Sequence, residues 1–374
     1  MIPSSIFAET LASLLAPIQR FLDDATVSEI LINGPSQIFV ERRGKLELTE
    51  ARFGSSAEVL SALRNVAQFA GTYIDEKKPI LEARLPDGSR LEAVLAPIAE
   101  GGPAVSIRRF SRSTMTLEKL VELGALGGDA ADALAAMVIG KCNIVVAGGT
   151  GSGKTSLLNV LAACAPAGER VLVLEDTREL TIARQHVVYL EARKPDEQGL
   201  GAITIRDLFR ASLRMRPDRI IVGEIRGSEA LDLVQAMVSG HGGCLGTLHA
   251  TYPRDTLTRL ETMCMMSDVS MPLSAIRMQI GSGIDVIVQV DRLPDGSRKI
   301  THVTEVVHFD VDTGKYELRD LFTRSFRAGA GGSSAKSELK PTGAMPTFRT
   351  RLLEHGVDLP ASLLAAIAEK GRLP

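Results

Sequence analysis

Hydrophobic positions fall into two regimes along the chain. Residues 5–24 carry Ile6, Leu11, Leu14, Leu15, Ile18 and Leu22 at helical spacing. The following stretch, VSEILINGPSQIFVERRGKLELTEARF, breaks into short apolar runs separated by turn signals at Asn33-Gly34-Pro35 and Arg43-Gly44, the pattern of hairpin-joined strands. A helical pattern spans 56–71. In LPDGSRLEAVLAPIAEGGPAVSIRRF, two strands flank a Gly-Gly-Pro turn and a further turn falls at Pro86-Asp87-Gly88. Residues 1–110 are therefore expected to form one α+β domain, followed by a linker over 111–129 whose short helix is capped by Thr116.

From about residue 130 the regime changes to strands alternating with helices. The strand candidates are Asn143–Ala147, Arg170–Glu175, His186–Leu190, Arg219–Gly223, Gly243–Leu248 and Asp285–Val290. This alternation predicts an α/β domain over 130–325 with a largely parallel sheet covered on both faces. Residues 327–345 are rich in Gly, Ser, Ala and Pro and are expected to be a flexible connection. A small helix near 360–370 closes the expected C-terminal tail, 326–374. No internal repeat stands out.

Composition narrows the class only slightly. With 45% hydrophobic and 24% charged residues in a chain of 374, it is that of a soluble globular protein. A net charge of -2, no Trp and only 4 Tyr argue against a basic groove or an aromatic platform for nucleic acid. Cys142, Cys164, Cys244 and Cys264 are scattered with no CxxC pair, the usage of free thiols in a reducing compartment. The N-terminus lacks the layout of a signal peptide and no apolar run reaches the length of a membrane span. A cytoplasmic protein, able to work at a membrane through partners, is expected.

The segment CNIVVAGGTGSGKTSLLNVLAA holds a strand, a loop matching G-x-x-x-x-G-K-[ST], and a helix apolar along one side. Such a loop cradles phosphates, because its glycines let consecutive N–H groups turn inward and the helix adds its positive end. Gly148, Gly149, Thr150, Gly151, Ser152, Gly153, Lys154, Thr155 and Ser156 are the candidate nucleotide-binding residues. Lys154 is expected on the β- and γ-phosphates and the Thr155 hydroxyl on Mg²⁺, with ATP as ligand.

Two strands end in acids at the same sheet edge. VLVLE ends at Glu175 and RIIVG is followed by Glu224. Glu224, standing where a Walker B Asp is usual, is the candidate to hold Mg²⁺ through water. Glu175 is the candidate to orient or deprotonate the attacking water, and either could instead cap a following element. His249 closes the strand in GHGGCLGTLHA and is open to both a phosphate-sensing and a structural reading. Arginine candidates for charge stabilisation are Arg90, Arg108 and Arg109 in the first domain, with Arg216 and Arg226 flanking the RIIVG strand.

In this order, GGTGSGKT, LEDTREL, RMRPDRIIVGEIRG and GHGGCLGTLHA resemble the Walker A loop, Asp box, Walker B region and His box of the type II and type IV secretion and pilus ATPase superfamily. Within it, ILINGPSQIFVERRGKLELTEARF, TIRDLFRASLRMRPDRIIVGEIRG and SRKITHVTEV resemble the CpaF-like ATPases of Tad/Flp pilus assembly. The resemblance covers roughly residues 10–325. It implies a RecA-like P-loop domain preceded by a smaller, PAS-like α+β domain, and a homo-hexamer that hydrolyses ATP between the two. It also implies inner-membrane platform proteins as partners. Glu175, Glu224 and His249 take catalytic roles by that resemblance, and Arg90, Arg108 and Arg109 fall in the region that supplies phosphate-contacting arginines. The tetracysteine zinc module of many type II and pilus-extension ATPases is absent from the sequence, and docking through a long extension before the first domain is not expected. A type IV secretion or conjugation traffic ATPase is the sister reading, and a DNA translocase or a non-catalytic nucleotide-gated scaffold are readings of another class.

Overall fold

The computed structural model describes residues 10–42, 44–110, 115–196, 198–327 and 336–370. Ile6, Arg43 of the expected turn and 328–335 of the expected connection lie outside them. The chain divides into two compact units, Met1–Arg112 and Ser113–Pro374.

The first unit is one antiparallel sheet with helices on a single face. Its strands are β1 (Val27–Asn33), β2 (Gln37–Arg42), β3 (Lys45–Leu48), β4 (Ile80–Arg84), β5 (Arg90–Val94) and β6 (Ala104–Arg108), in the order β3-β2-β1-β6-β5-β4. Alternation does the work. Ile30 and Ile32 on β1, Ile38 and Val40 on β2, and Val105 and Ile107 on β6 are buried, while their neighbours face outward. They pack against Ile18 and Phe21 of helix α1 (Ala16–Leu22) and Val59, Leu63 and Val66 of α2 (Ser56–Phe69). Ser55 caps α2 by accepting the Glu58 N–H at 3.3 Å.

The second unit is built on a nine-stranded sheet. Its strands are β7 (Ile144–Gly148), β8 (Val171–Glu175), β9 (Val187–Glu191), β10 (Arg219–Val222), β11 (Leu245–Leu248), β12 (Val286–Arg292), β13 (Arg298–Asp310), β14 (Lys315–Arg327) and β15 (Lys336–Pro341). The order is β15-β14-β13-β12-β7-β11-β10-β8-β9, parallel from β12 to β9 and antiparallel from β12 to β15. All six expected strands are present, within one or two residues of their expected ends.

On β7, Ile144, Val145, Val146 and Ala147 are fully buried, and alternate residues feed two separate cores. One core packs under α4 (Gly128–Ile139) and α5 (Lys154–Ala163), the other under α7 (Glu229–Val238), α8 (Pro253–Met265) and α9 (Leu273–Gly283). Covering both faces is what lets a strand be apolar throughout. Helix α6 (Ile205–Ser212) opens on a capping box between Thr204 and Asp207. Thr116 caps the linker helix α3 (Leu117–Glu122), accepting the Lys119 N–H at 3.2 Å.

The end of the chain corrects one expectation. Residues 336–341, read as part of a flexible connection, form β15 in register with β14. Beyond it, α10 (Arg349–Glu354) and α11 (Ala361–Lys370) bury Leu352, Leu359 and Leu363 against Ala133, Leu134 and Met137 of α4. Polar composition hid the strand because β15 is an edge strand, one side of which needs no apolar partner. Arg351 anchors the tail, lying 2.7 Å from Asp285, whose other oxygen accepts the Asn143 N–H at 2.7 Å. A Cβ on Gly140 would fall 2.3 Å from the Leu352 side chain, so contact is close. Leu352→Ala should therefore cost about 2–4 kcal/mol in chemical denaturation. A change within about 0.5 kcal/mol, as for a surface site, would contradict the packing of this tail.

Candidate functional site: a phosphate loop with an acid and a histidine behind it

The loop is shaped by contacts only glycine permits. A Cβ on Gly148 would lie 2.2 Å from the Val290 carbonyl oxygen, so β7 can run against β12 there only without a side chain. Gly151 and Gly153 take φ of +69° and +97°, the left-handed region. Ser152 is buried and its hydroxyl donates to the Gly149 carbonyl at 2.9 Å. Thr150 is exposed at the loop tip, while Thr155 and Ser156 occupy the first turn of α5. Gly153 caps that helix without a side chain, which leaves the first-turn N–H groups for an incoming anion.

Lys154 turns back into this loop. Its Nζ donates to the Gly149 carbonyl at 2.9 Å and lies 3.3 Å from His249 Nδ1. His249 follows β11, the strand next to β7, and its Nε2 stands 2.9 Å from Glu224 Oε1. These contacts fix the tautomer: Nε2–H donates to the carboxylate, and the Nδ1 lone pair receives the ammonium. Burial, then the Lys154 charge, holds the imidazole below the usual histidine range, so it is neutral. Lys154, His249 and Glu224 thus form a continuous line.

Glu175 is placed differently. Its strand β8 is separated from β7 by β11 and β10, three strand spacings or roughly 14 Å. The side chain is buried over Gly223, where a Cβ would come 2.7 Å from its Cγ. Its Oε1 accepts the Glu179 and Leu180 N–H groups, each at 3.0 Å. Burial pushes its pKa up to about 7 against the pull of these two bonds, and the charges of Glu179 and Glu191 add to the rise.

Arg90 and Arg108 are cross-strand neighbours in the first unit, with Arg84 continuing the row. Arg109 belongs to the opposite face by alternation, and its guanidinium Nη1 donates to the Asp24 and Val27 carbonyls. That contact ties the end of β6 to the start of β1.

Two residues that carry the site, Gln289 and Arg298, escaped the sequence, and Arg226, a candidate from its place beside the RIIVG strand, joins them. Arg226 bonds Glu224 Oε2 and lies 3.5 Å from Asp176. Gln289, fully buried on β12, donates to the Ala250 and Thr251 carbonyls at 3.2 and 3.0 Å and so fixes the chain just beyond His249. Arg298, at the start of β13, donates from Nε to the Gly151 carbonyl at 2.9 Å. A signal for Arg298 existed. The hexapeptide Leu-Pro-Asp-Gly-Ser-Arg occurs at 85–90 and again at 293–298, a repeat too short to show in periodicity. Both copies fold into one hairpin turn: Leu85 N–H to Ser89 O at 2.8 Å and Leu293 N–H to Ser297 O at 2.8 Å, with Gly88 and Gly296 at φ +90° and +83°.

A family described as type II/IV secretion system protein matches residues 12–318. The chain belongs to this family. Conjugal transfer protein TrbB of Rhizobium radiobacter is 35% identical over 294 residues, 77% of this chain and 85% of that one. Type IV secretion system protein PtlH of Bordetella pertussis is 34% identical over 303 residues, 74% of this chain and 89% of that one. The X-ray structure of the Legionella pneumophila ATPase DotB shares the fold, with a TM-score of 0.57 over 80% of this chain and 82% of that one at 22% identity. The RecA-like α/β architecture expected from the motifs is thus that of a secretion-family ATPase.

The buried carboxyl of Glu175 carries a stability consequence. Its pKa is higher folded than unfolded, so its contribution is lost as pH rises from the ordinary carboxylate range to about 7. Glu175→Gln removes that loss. By linkage the variant should be the more stable protein above neutral pH, by up to roughly 3 kcal/mol. The advantage should shrink as pH is lowered. Denaturation midpoints that show the same difference at about pH 5 and about pH 8 would contradict it.

Proposed function

We propose that this secretion-family protein binds Mg·ATP at the Gly148–Ser156 loop and hydrolyses it as a homo-hexamer. The work is delivered to a membrane-bound secretion or conjugation machine. The observation that carries the reading is Lys154, a buried cation held by the loop's own Gly149 carbonyl and linked through His249 to Glu224. At these two contacts the lysine meets a carbonyl and a neutral imidazole, and a polyanion would offer it charge-assisted bonds in their place. The loop, the uncapped start of α5 and the Thr155 hydroxyl fit a triphosphate.

Each residue then has a task. Lys154 moves from Gly149 to the β- and γ-phosphates, while first-turn N–H groups of α5 hold the phosphate oxygens. Thr155 and, through water, Glu224 are the groups that would hold Mg²⁺, which when bound neutralises charge developing on the γ-phosphoryl group. Glu175, poised near pH 7, is matched to accept a proton from the attacking water. His249 keeps Glu224 oriented and loses its Nδ1 partner when Lys154 moves, so it senses occupancy of the loop. The resemblance also gives phosphate contacts to Arg90, Arg108 and Arg109. Arg109 would have to leave the Asp24 and Val27 carbonyls to take that task.

The names of the relatives favour the secretion and conjugation branch. The CpaF-like Tad/Flp reading rests on its sequence segments alone. Among the described residues no helix is long and apolar enough to cross a membrane, and the platform partners at the inner membrane come from the family resemblance. The DNA-motor and scaffold readings have no structural observation in their favour. The test is phosphate release by the purified protein. Lys154→Ala and Glu224→Gln should each lower turnover by at least about 100-fold while melting cooperatively. Undiminished turnover by both variants would refute the site.

A further inference from the structure

Three consecutive residues at the start of β13 grip two different parts of the second unit. Arg298 Nε donates to the Gly151 carbonyl of the phosphate loop at 2.9 Å. Lys299 Nζ donates to the Leu123 and Gly124 carbonyls, at 3.2 and 2.8 Å, where the linker helix α3 ends. The Ile300 N–H donates to the next carbonyl, Ala125, at 2.9 Å. Strand alternation explains the division, since adjacent side chains leave a strand on opposite faces. The linker end is doubly fastened, because Arg324 on β14 donates to Ala125 O and to Ile300 O, both at 2.7 Å.

We propose that Arg298 is a positioning residue of the phosphate loop and that Lys299 passes the loop's state to the linker. The inference rests on the loop's being a nucleotide site. The Gly151 carbonyl and the Ser152 N–H belong to one peptide plane and point oppositely. Holding the carbonyl with Arg298 aims the Ser152 N–H at the Gly149 oxygen, 3.4 Å away, which also receives Lys154. The arginine therefore orients the peptide beside the acceptor that Lys154 must leave. Phosphate entry redirects that N–H and turns the peptide, shifting the Gly151 oxygen against the guanidinium. Arg298 and Lys299 share a backbone within a paired strand, so the displacement reaches the α3 end without crossing a flexible segment. The device uses no side chain assigned to chemistry, and it links loop occupancy to the segment that follows the first unit in the chain.

Hydrogen exchange on the full-length protein, with and without Mg·ADP, tests this alongside titration with a fluorescent ADP. In the wild type, bound ADP should change the exchange of amides at 120–126 several-fold. Arg298→Ala should weaken ADP by about 10-fold, the worth of one charge-assisted bond. At saturating ADP this variant should show no linker response. Lys299→Met should bind ADP within about twofold of wild type and also lose the linker response, a split that a merely structural role would not produce. Linker exchange indifferent to bound ADP in the wild type, or a response surviving in either variant, overturns the proposal. Failure of the wild type to bind ADP at all refutes the nucleotide reading itself, and is told apart by the titration.

Discussion

The arrangement of the second unit's functional edge follows from where one ammonium group is kept. Lys154 is 8% exposed, and taking its charge out of water is costly unless partners replace the lost hydration. The Gly149 carbonyl and His249 Nδ1 are such partners. An imidazole can serve only while neutral, and the tautomer with Nδ1 open places its proton on Nε2, where the Glu224 carboxylate accepts it. Arg226 in turn holds the other Glu224 oxygen. Each polar group thus has its orientation set by the next, and the chain of dependence ends on an ammonium that a polyphosphate can draw away.

Strand order makes this possible. With β7, β11 and β10 adjacent, the loop lysine, the His249 strand end and the Glu224 strand end are neighbours although far apart in sequence. Glu175, on β8, stands farther out and spends one oxygen on the backbone of the turn that follows. Its burial is a strain that stability alone would not select. A carboxyl held near pH 7 costs folding energy at neutral pH.

Local chemistry was legible in the sequence, and long-range placement was not. The glycine spacing of 148–153 reports its own conformation, since left-handed φ at Gly151 and Gly153 demands it. Apolar runs ending in Glu175 and Glu224 mark strand ends at a ligand-binding edge. Nothing local says that His249 faces Lys154 rather than a core, because that depends on which strand lies beside β7. Arg298 lies 147 residues from the carbonyl it holds and reads as one more surface arginine. In the tail the helix expected near 360–370 is present as α11, whereas polar composition concealed β15, and nothing local says that Leu352 and Leu363 are buried against α4. Family resemblance placed the motifs, and geometry added the contacts among them.

An experimental structure of the protein with a bound non-hydrolysable Mg·ATP analogue tests the account most directly, through the position of Lys154 Nζ. The account predicts that the ammonium leaves Gly149 O and His249 Nδ1 for the β- and γ-phosphate oxygens, while His249 Nε2 stays on Glu224. Nucleotide bound with Lys154 still on Gly149 and His249, or bound away from this loop, would contradict it.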